Sequence, residues 1–229
     1  CHGGIGLGQR RLAIIDLRRE STAPLSNEDG TIWIVFNGEI YNFQELRGRL
    51  VKQGHVFRTG SDTEVIIHLY EQYGIECLQH LRGMFAFAIW DCRKKQLFLA
   101  RDAFGIKPLY YSRFGRSFRF ASQVKALLAG EGIPDEADAA GIVGFHLFGS
   151  VPEPYTISRH IRALPAGHWL RIGRSGEFEE RRYHSLAEAY SAGERHSGAR
   201  TLDESRRIER VREALIDSVK HHLVSDVPV

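Results

Sequence analysis

The feature that most constrains the fold is a run of short apolar stretches in the middle of the chain. These stretches lie at residues 84–91, 97–102, 109–114 and 118–123, and charged or glycine-containing turns separate several of them. Such spacing predicts consecutive antiparallel strands. Several of the strands are apolar on both sides, so other elements must cover both faces of the sheet.

Segments that flank these strands supply the covering layers. Apolar side chains recur at helical spacing over 43–50, and a second helix is predicted over 63–73. Ser61, with Glu64 three residues on, predicts a capping box at the start of that second helix. The elements together predict an α+β fold in which helices lie outside two packed sheets.

The two ends of the chain differ in character. Apolar, β-branched runs at 12–17 and 31–36 predict two further buried strands. Residues 168–184 predict a hairpin around a Ser-Gly turn, whereas the polar and small residues of 185–203 predict a linker. Beyond the linker, apolar residues over 208–223 recur at a helical period and predict a last helix.

The composition limits the classes of function. The chain has 229 residues and a formal net charge of +3, and its scattered basic residues argue against a nucleic-acid partner. No apolar run approaches the length of about 18 residues that a membrane span needs, and no signal peptide is recognisable. The three cysteines are too few for a disulfide framework. We therefore expect a soluble, reduced, cytoplasmic protein with no membrane partner.

Three stretches carry residues that could do chemistry. Asn37 and Gly38 form either a hairpin turn or an oxyanion hole, since a side-chain amide beside a glycine N–H offers two donors. Asp62 is either a helix N-cap or a carboxylate that binds a substrate ammonium. Arg11 is either a solvated cation or a bidentate ligand for a carboxylate. The residues alone leave these alternatives open.

The cysteines and histidines give weaker signals. Cys1 is either a nucleophile whose own terminal amine serves as the base, or only the first residue of the sequence. Cys77 and His80 have zinc-ligand spacing without a second ligand pair, which favours a core cysteine and predicts no metal site. His221 and His222 are expected on a solvated face of the last helix.

Five segments occur in an order that resembles one family: GLGQRRLAIIDL, FNGEIYNFQELR, RTGSDTEVI, LRGMFAFAIWD and RDAFGIKPLYY. Together they resemble the glutamine amidotransferase domain of the asparagine synthetase family. The resemblance implies a four-layer αββα N-terminal-nucleophile hydrolase sandwich over residues 1–184, N-terminally truncated and lacking its first strands. Residues 185–203 are then the linker, and residues 204–229 hold the first helix of an α/β synthetase domain of the ATP pyrophosphatase type.

The same resemblance implies the residues of a glutamine site. Arg11 would hold the α-carboxylate of glutamine, and the pocket would continue along the backbone of Leu12, Ala13, Ile14 and Ile15. The oxyanion hole is implied at Asn37 and Gly38. Carboxylates that bind glutamine are implied at Glu39 and Asp62, with Asp62 on the α-ammonium.

Other positions are also placed by the resemblance. A structural or interdomain role is expected for the signature residues Arg101, Asp102, Gly105 and Lys107. Gln9 stands where the family often has histidine. In the family the nucleophilic cysteine precedes the GLG segment by several dozen residues, so Cys1 is expected to be an accidental fragment start and the chain alone to be inactive. Without its first strands, the sandwich is expected to expose apolar faces around Ile14 and Ile34.

The implied activity is an ATP-dependent amidotransferase that hydrolyses glutamine to ammonia and converts aspartate to asparagine. Glutamine, aspartate and ATP are the implied small-molecule substrates. ATP and Mg would be bound by the synthetase domain, with no cofactor in this chain, and analogy adds a homodimer. Two alternatives stay open: a related amidotransferase acting on a different carboxylate, including a β-lactam synthetase-like enzyme, and a non-catalytic glutamine-binding module.

Overall fold

The computed structural model describes five parts of the chain: residues 4–10, 16, 21, 23–195 and 203–223. Apart from Asp16, the strand predicted over 12–17 lies outside these parts, as do the predictions for Cys1 and Arg11. No helix within them is long and apolar enough to cross a membrane.

Short strands and helices make up most of the described chain. The strands are β1 (Leu25–Ser26), β2 (Ile32–Ile40), β3 (Gly83–Asp91), β4 (Gln96–Arg101), β5 (Tyr110–Phe114), β6 (Ser117–Ala121), β7 (Arg162–Ala163), β8 (His168–Ile172) and β9 (Phe178–Arg182). The helices are α1 (Phe43–Lys52), α2 (Asp62–Tyr73), α3 (Val124–Leu128), α4 (Ala139–Phe148), α5 (Leu186–Arg195) and α6 (Glu204–His222), with a 3₁₀ helix over Gly74–His80. The four central strands and the late hairpin are therefore confirmed.

The strands form two antiparallel sheets. The larger has the strand order β1-β2-β3-β4-β8-β9, and the smaller has the order β6-β5-β7. The longest pairing joins β2 to β3, in a register that runs from Ile32 opposite Asp91 to Ile40 opposite Gly83. β1 reaches only as far as Ile34, so no described strand flanks the second half of β2 on that side.

Alternation along β2 divides the apolar core into two. Ile34 and Phe36 point to one side, where they pack against α1 and α2. Val35 points to the other side and packs between the two sheets with Leu109, which precedes β5. α3 packs on the smaller sheet through Leu127. The order of layers is therefore helices, sheet, sheet and helix, as the α+β four-layer prediction requires.

The structure excludes one of the two alternatives for Asn37 and Gly38 and contradicts one prediction about Ile34. Asn37 and Gly38 do not form a hairpin turn, because they lie inside the strand, opposite Ala86 and Phe85 of β3. Ile34 is not exposed, because α1 and α2 cover its face of the larger sheet. At Asn37 and Gly38, the pairing with β3 outweighs the local preference of the dipeptide for a turn. At Ile34, helices that follow later in the chain cover the face that was expected to be exposed.

The start of α2 was predicted correctly, but its capping pattern was not. Ser61 is the N-cap, and its hydroxyl accepts a hydrogen bond from Thr63 N–H at 3.2 Å. Glu64 does not complete a capping box, because its carboxylate accepts the N–H groups of Arg58 and Thr59, at 2.8 and 2.7 Å. The Glu64 carboxylate is therefore occupied by the loop that precedes α2 and does not reach back to the N-cap.

The segment predicted as a linker contains the helix α5. Its alanines, Ala187, Ala189 and Ala192, are strong helix formers, and Ser185 accepts a hydrogen bond from Glu188 N–H at 3.3 Å at its start. The small and polar residues of this segment did not lead us to predict a helix there. The last helix is confirmed as α6, whereas the division into domains remains a prediction.

Candidate active site

A cavity of about 690 Å³ lies between the two sheets, beside the second half of β2. Small side chains on β3, those of Ala86 and Ala88, leave room for it. It is lined by Gly8, Gln9, Arg10, Val35, Phe36, Asn37, Gly38, Glu39, Asp62, Thr63, Met84, Ala86, Phe87, Ala88, Lys107, Pro108, Leu109, Phe120, Ala121, Ser122 and Gln123. Its size is within the range of small-molecule sites. The cavity brings together four residues that the sequence predicted for one site: Asn37, Gly38, Glu39 and Asp62.

The backbone of β2 presents an open edge to this cavity. Alternate N–H groups of a strand point to the same side, and those of Phe36 and Ile40 point away from β3. Phe36 N–H donates to Gln9 Oε1 at 2.9 Å, and Ile40 N–H donates to Asp62 Oδ2 at 3.0 Å. Gly38 lies midway between them, so its N–H points out of the same edge, between Gln9 and Asp62.

The side chain of Gln9 bonds to this edge of β2 where a neighbouring strand could otherwise pair. Its side-chain amide accepts a hydrogen bond from Phe36 N–H and donates one to the Phe36 carbonyl oxygen. A neighbouring strand would make the same two bonds. Sequence reasoning noted Gln9 only as a departure from a family pattern, and no local signal points to this contact.

Two glycines let β2 and β3 approach each other closely at the cavity. Gly38 has a φ of +154°, and a Cβ there would lie 2.1 Å from the Met84 carbonyl oxygen. A Cβ on Gly83 would lie 2.2 Å from the Glu39 carbonyl oxygen. Any side chain at either position would push the strands apart where Asn37 and Glu39 line the cavity.

Glu39 gives the cavity an unsatisfied acceptor. Its side chain is buried, and Oε1 has no hydrogen-bond partner among the described residues. Burial raises the pKa of Glu39 and the neighbouring Asp62 raises it further, whereas His222 and Lys107 lower it. A buried acceptor without a donor is costly, so a ligand bearing N–H groups would be stabilised here.

Lys107 reaches the cavity on a loop that Arg101 and Asp102 hold in place. Asp102 is fully buried and accepts the N–H groups of Ile106 and Lys107, both at 2.9 Å. Arg101 donates to the carbonyl oxygens of Lys107 and Gly105, both at 2.7 Å. Arg101 and Asp102 are thus structural, as predicted. Lys107 was grouped with them, but it lines the cavity and acts on Glu39.

The remaining predicted residues are not placed at the cavity. Arg11, Leu12, Ala13, Ile14 and Ile15 lie outside the described residues, as does Cys1. No cysteine lines the cavity in the part of the chain that the structure describes. Cys77 is fully buried in the core beside α2, which confirms the prediction of a core cysteine.

Comparison with known proteins defines the class. A model of the glutamine amidotransferase domain family matches residues 1–184, so the chain belongs to that family. The solved structure of glutamine phosphoribosylpyrophosphate amidotransferase from Bacillus subtilis, complexed with ADP and GMP, is similar to it in fold. That match has a TM-score of 0.51 and 26% identity, and it covers 73% of this chain and 32% of the other.

Two similar relatives narrow the class further. Asparagine synthetase [glutamine-hydrolyzing] 1 of Bacillus subtilis is 40% identical over 225 residues, which is 98% of this chain and 34% of the relative. A putative asparagine synthetase [glutamine-hydrolyzing] 1 of Methanocaldococcus jannaschii is 54% identical over 125 residues, 55% of this chain and 22% of the relative. The chain thus spans about a third or less of the length of these relatives.

Proposed function

We propose that this chain is the glutamine-hydrolysing part of an asparagine synthetase. The observation that carries the proposal is the open edge of β2. There Gly38 N–H and the Asn37 side chain border a cavity that also holds the carboxylates of Glu39 and Asp62. The similarity to the glutamine-hydrolysing relatives supports the same conclusion.

Glutamine carries an α-carboxylate, an α-ammonium and a side-chain amide, and each needs a partner. In the proposal, Arg11 and the backbone of residues 12–15 hold the carboxylate end. Asp62 binds the α-ammonium from its place at the start of α2. Glu39 Oε1 accepts a hydrogen bond from the substrate, which satisfies the acceptor that is otherwise buried without a donor.

Hydrolysis begins when a nucleophile attacks the amide carbon of the substrate, and negative charge develops on the amide oxygen. Gly38 N–H and the Asn37 amide donate to that oxygen, and one such donor contributes about 3 kcal/mol to the transition state. The carbon–nitrogen bond then breaks, the nitrogen takes up a proton and leaves as ammonia, and water releases glutamate. No described residue is assigned as the nucleophile.

The complete reaction would use that ammonia, with ATP and Mg²⁺, to convert aspartate to asparagine. This chain matches only about a third of its Bacillus subtilis relative. We expect the residues that bind ATP, Mg²⁺ and aspartate in the part of the relative that is not matched. A cytoplasmic location and a homodimer belong to the same proposal, and only the resemblance supports them.

The test measures glutamate release from glutamine by the full-length protein and its Asn37→Ala variant. We expect kcat to fall about 100-fold with a smaller change in KM, because an oxyanion donor acts mainly in the transition state. Gln72→Ala, which removes an exposed amide on α2, is the matched control and should leave both constants unchanged. A variant of Asn37 with the wild-type kcat would refute the oxyanion assignment.

A further inference from the structure

His222 is exposed, as predicted, yet the carboxyl end of α6 also contacts the sandwich where β2 and β3 stop pairing. The His222 ring lies 4.6 Å from the Tyr41 ring, centroid to centroid. One turn earlier, Asp217 forms an ion pair with Arg82, and His221 Nε2 lies 3.4 Å from Arg82 Nη1. One end of α6 therefore meets two residues of the sandwich.

Tyr41 and Arg82 form the last backbone hydrogen bond between the chain segments of β2 and β3. Tyr41 N–H donates to the Arg82 carbonyl oxygen at 2.8 Å, one step beyond the pairing of Ile40 with Gly83. Arg82 N–H in turn donates to Asn42 Oδ1 at 3.0 Å. α6 thus docks where hydrogen bonds hold the backbone of both strands, two residues beyond Glu39.

Glu39 lies two residues before Tyr41, so the two side chains project from the same face of the sheet. Both end in buried oxygens, Glu39 Oε1 and the Tyr41 hydroxyl, that have no hydrogen-bond partner among the described residues. Burial raises the pKa of Tyr41 and the charge of Glu39 raises it further, while His222 lowers the pKa of Glu39. The three groups therefore form one electrostatic cluster.

Packing decides where the side chains of this cluster lie, because no hydrogen bond holds either oxygen. The Asp217–Arg82 pair is about half exposed on both sides, so water and salt screen it and it is only a minor restraint. The His222 ring, tilted by 46° against the Tyr41 ring, touches the cluster directly, whereas the Asp217–Arg82 pair does not.

We propose that Tyr41 is a positioning residue through which α6 sets the Glu39 carboxylate for glutamine. His222 supplies the main contact from α6 and Asp217 a secondary one. The inference rests on the proposed function, because it takes glutamine to be the occupant of the cavity. By linkage, whatever displaces α6 weakens glutamine binding, and bound glutamine stabilises α6 in its docked position.

The first experiment measures glutamine hydrolysis by the full-length protein and two variants of His222. His222→Ala removes the ring and should raise KM for glutamine about fivefold, the coupling typical of linked sites, with kcat within twofold. His222→Phe keeps a ring on Tyr41 and should restore KM to within twofold. Arg212→Ala, on the same helix with its ion pair to Glu209 inside α6, is the control and should change neither constant.

A double-mutant cycle shows whether Tyr41 carries the effect. If it does, adding His222→Ala to Tyr41→Leu raises KM no further than Tyr41→Leu does alone. Hydrogen exchange supplies the reciprocal measurement: glutamine should slow the exchange of α6 amides in the wild type and not in His222→Ala. Thermal unfolding of each variant separates these effects from a loss of folded protein.

The outcomes separate the two proposals. A wild-type protein that hydrolyses no glutamine refutes the proposed function and this inference with it. Glutamine turnover with a KM indifferent to His222→Ala refutes this inference alone, as does an additive double-mutant cycle or a His222→Phe variant no better than His222→Ala.

Discussion

Buried glutamates occur in two regions of the molecule, and they behave in opposite ways. In the cavity, Glu39 is 6% exposed and its Oε1 lacks a partner among the described residues. On α2, Glu64 is 2% exposed, yet its carboxylate accepts hydrogen bonds from Arg58 N–H, Thr59 N–H and the Thr59 hydroxyl at 2.6–2.8 Å. Burial is similar, so the difference lies in the partners.

The pKa values of the buried groups on α2 depend on these partners. Burial by itself raises the pKa of Glu64, but the His68 ring, whose Nε2 lies 3.8 Å from Glu64 Oε1, and hydrogen bonds from Arg58 and Thr59 lower it to about 2. Burial likewise lowers the pKa of His68, but Glu64 and Glu71 raise it to about 9, with Glu71 Oε2 at 2.7 Å from His68 Nδ1. The satisfied carboxylate belongs to a structural network, whereas the unsatisfied one marks a place for a ligand.

The largest expected effect is the loss of stability when Glu64, the structural carboxylate, is changed. Glu64→Gln removes the charge that faces His68 and disturbs the acceptor of the Arg58–Thr59 loop. We expect the free energy of unfolding to fall by about 3 kcal/mol, the range for breaking a buried ion pair from one side. Urea unfolding at neutral pH measures it. A loss below about 1 kcal/mol would place Glu64 among ordinary surface acids.

The second prediction concerns pH. The pKa of His68 is raised from 6.5 to about 9, so its contribution to stability is complete below pH 6.5 and is lost as the pH rises through 9. The pKa of Glu64 is lowered from 4.5 to about 2, so its contribution is present above pH 4.5 and is lost as the pH falls toward 2. Urea unfolding from about pH 6 to about pH 10 should show a decline that His68→Gln removes. A flat profile in the wild type would contradict it.

Glu39→Gln should have a smaller effect on stability and of the opposite sign. A carboxylate with a raised pKa destabilises the folded state above that pKa, so its removal should raise the free energy of unfolding by up to about 1 kcal/mol at neutral pH. KM for glutamine should rise about tenfold, since a hydrogen bond to a charged group is lost. If Glu39→Gln unfolds as readily as Glu64→Gln, the comparison fails.

Lys107→Met tests the weakest of the charges that act on the pKa of Glu39. Lys107 lowers the pKa of Glu39, so its loss raises that pKa and the acid limb of glutamine binding should shift to higher pH. We expect KM at neutral pH to rise about twofold and the free energy of unfolding to change by less than about 0.5 kcal/mol. Lys125→Met, on the exposed side of α3, is the matched control. An unshifted acid limb would separate Lys107 from Glu39.

Sequence reasoning succeeded where a signal is local or where long motifs match a family. The apolar periods of β3–β6 and α2 depend on neighbouring residues, and the structure confirms them. The Asn37–Gly38 dipeptide is typical of a hairpin turn, but a nine-residue pairing with β3 overrides that preference. The motifs brought Asn37, Gly38, Glu39 and Asp62 into one predicted site, and the structure places all four at one cavity.

The residues that sequence reasoning missed depend on distant neighbours. Gln9 was missed because its partner, Phe36, lies 27 residues away and a side-chain amide that imitates a strand leaves no periodic pattern. The contact of the exposed His222 ring with Tyr41 was missed because a helix period shows which residues share a face and not what that face contacts. Lys107 was grouped with its structural neighbours because the loop geometry that delivers it is set by Asp102.

Residue type and spacing were enough to predict most secondary elements, the two-sided burial of the central strands and the motifs that identify the family, whereas α5 was not predicted. What each buried carboxylate does depends on the tertiary structure. Glu39 and Glu64 are the same residue type with similar burial, and Glu64 is structural while Glu39 is unsatisfied. The physical reason is that hydrogen-bond donors arrive from other segments, and their arrival depends on how loops and strands pack.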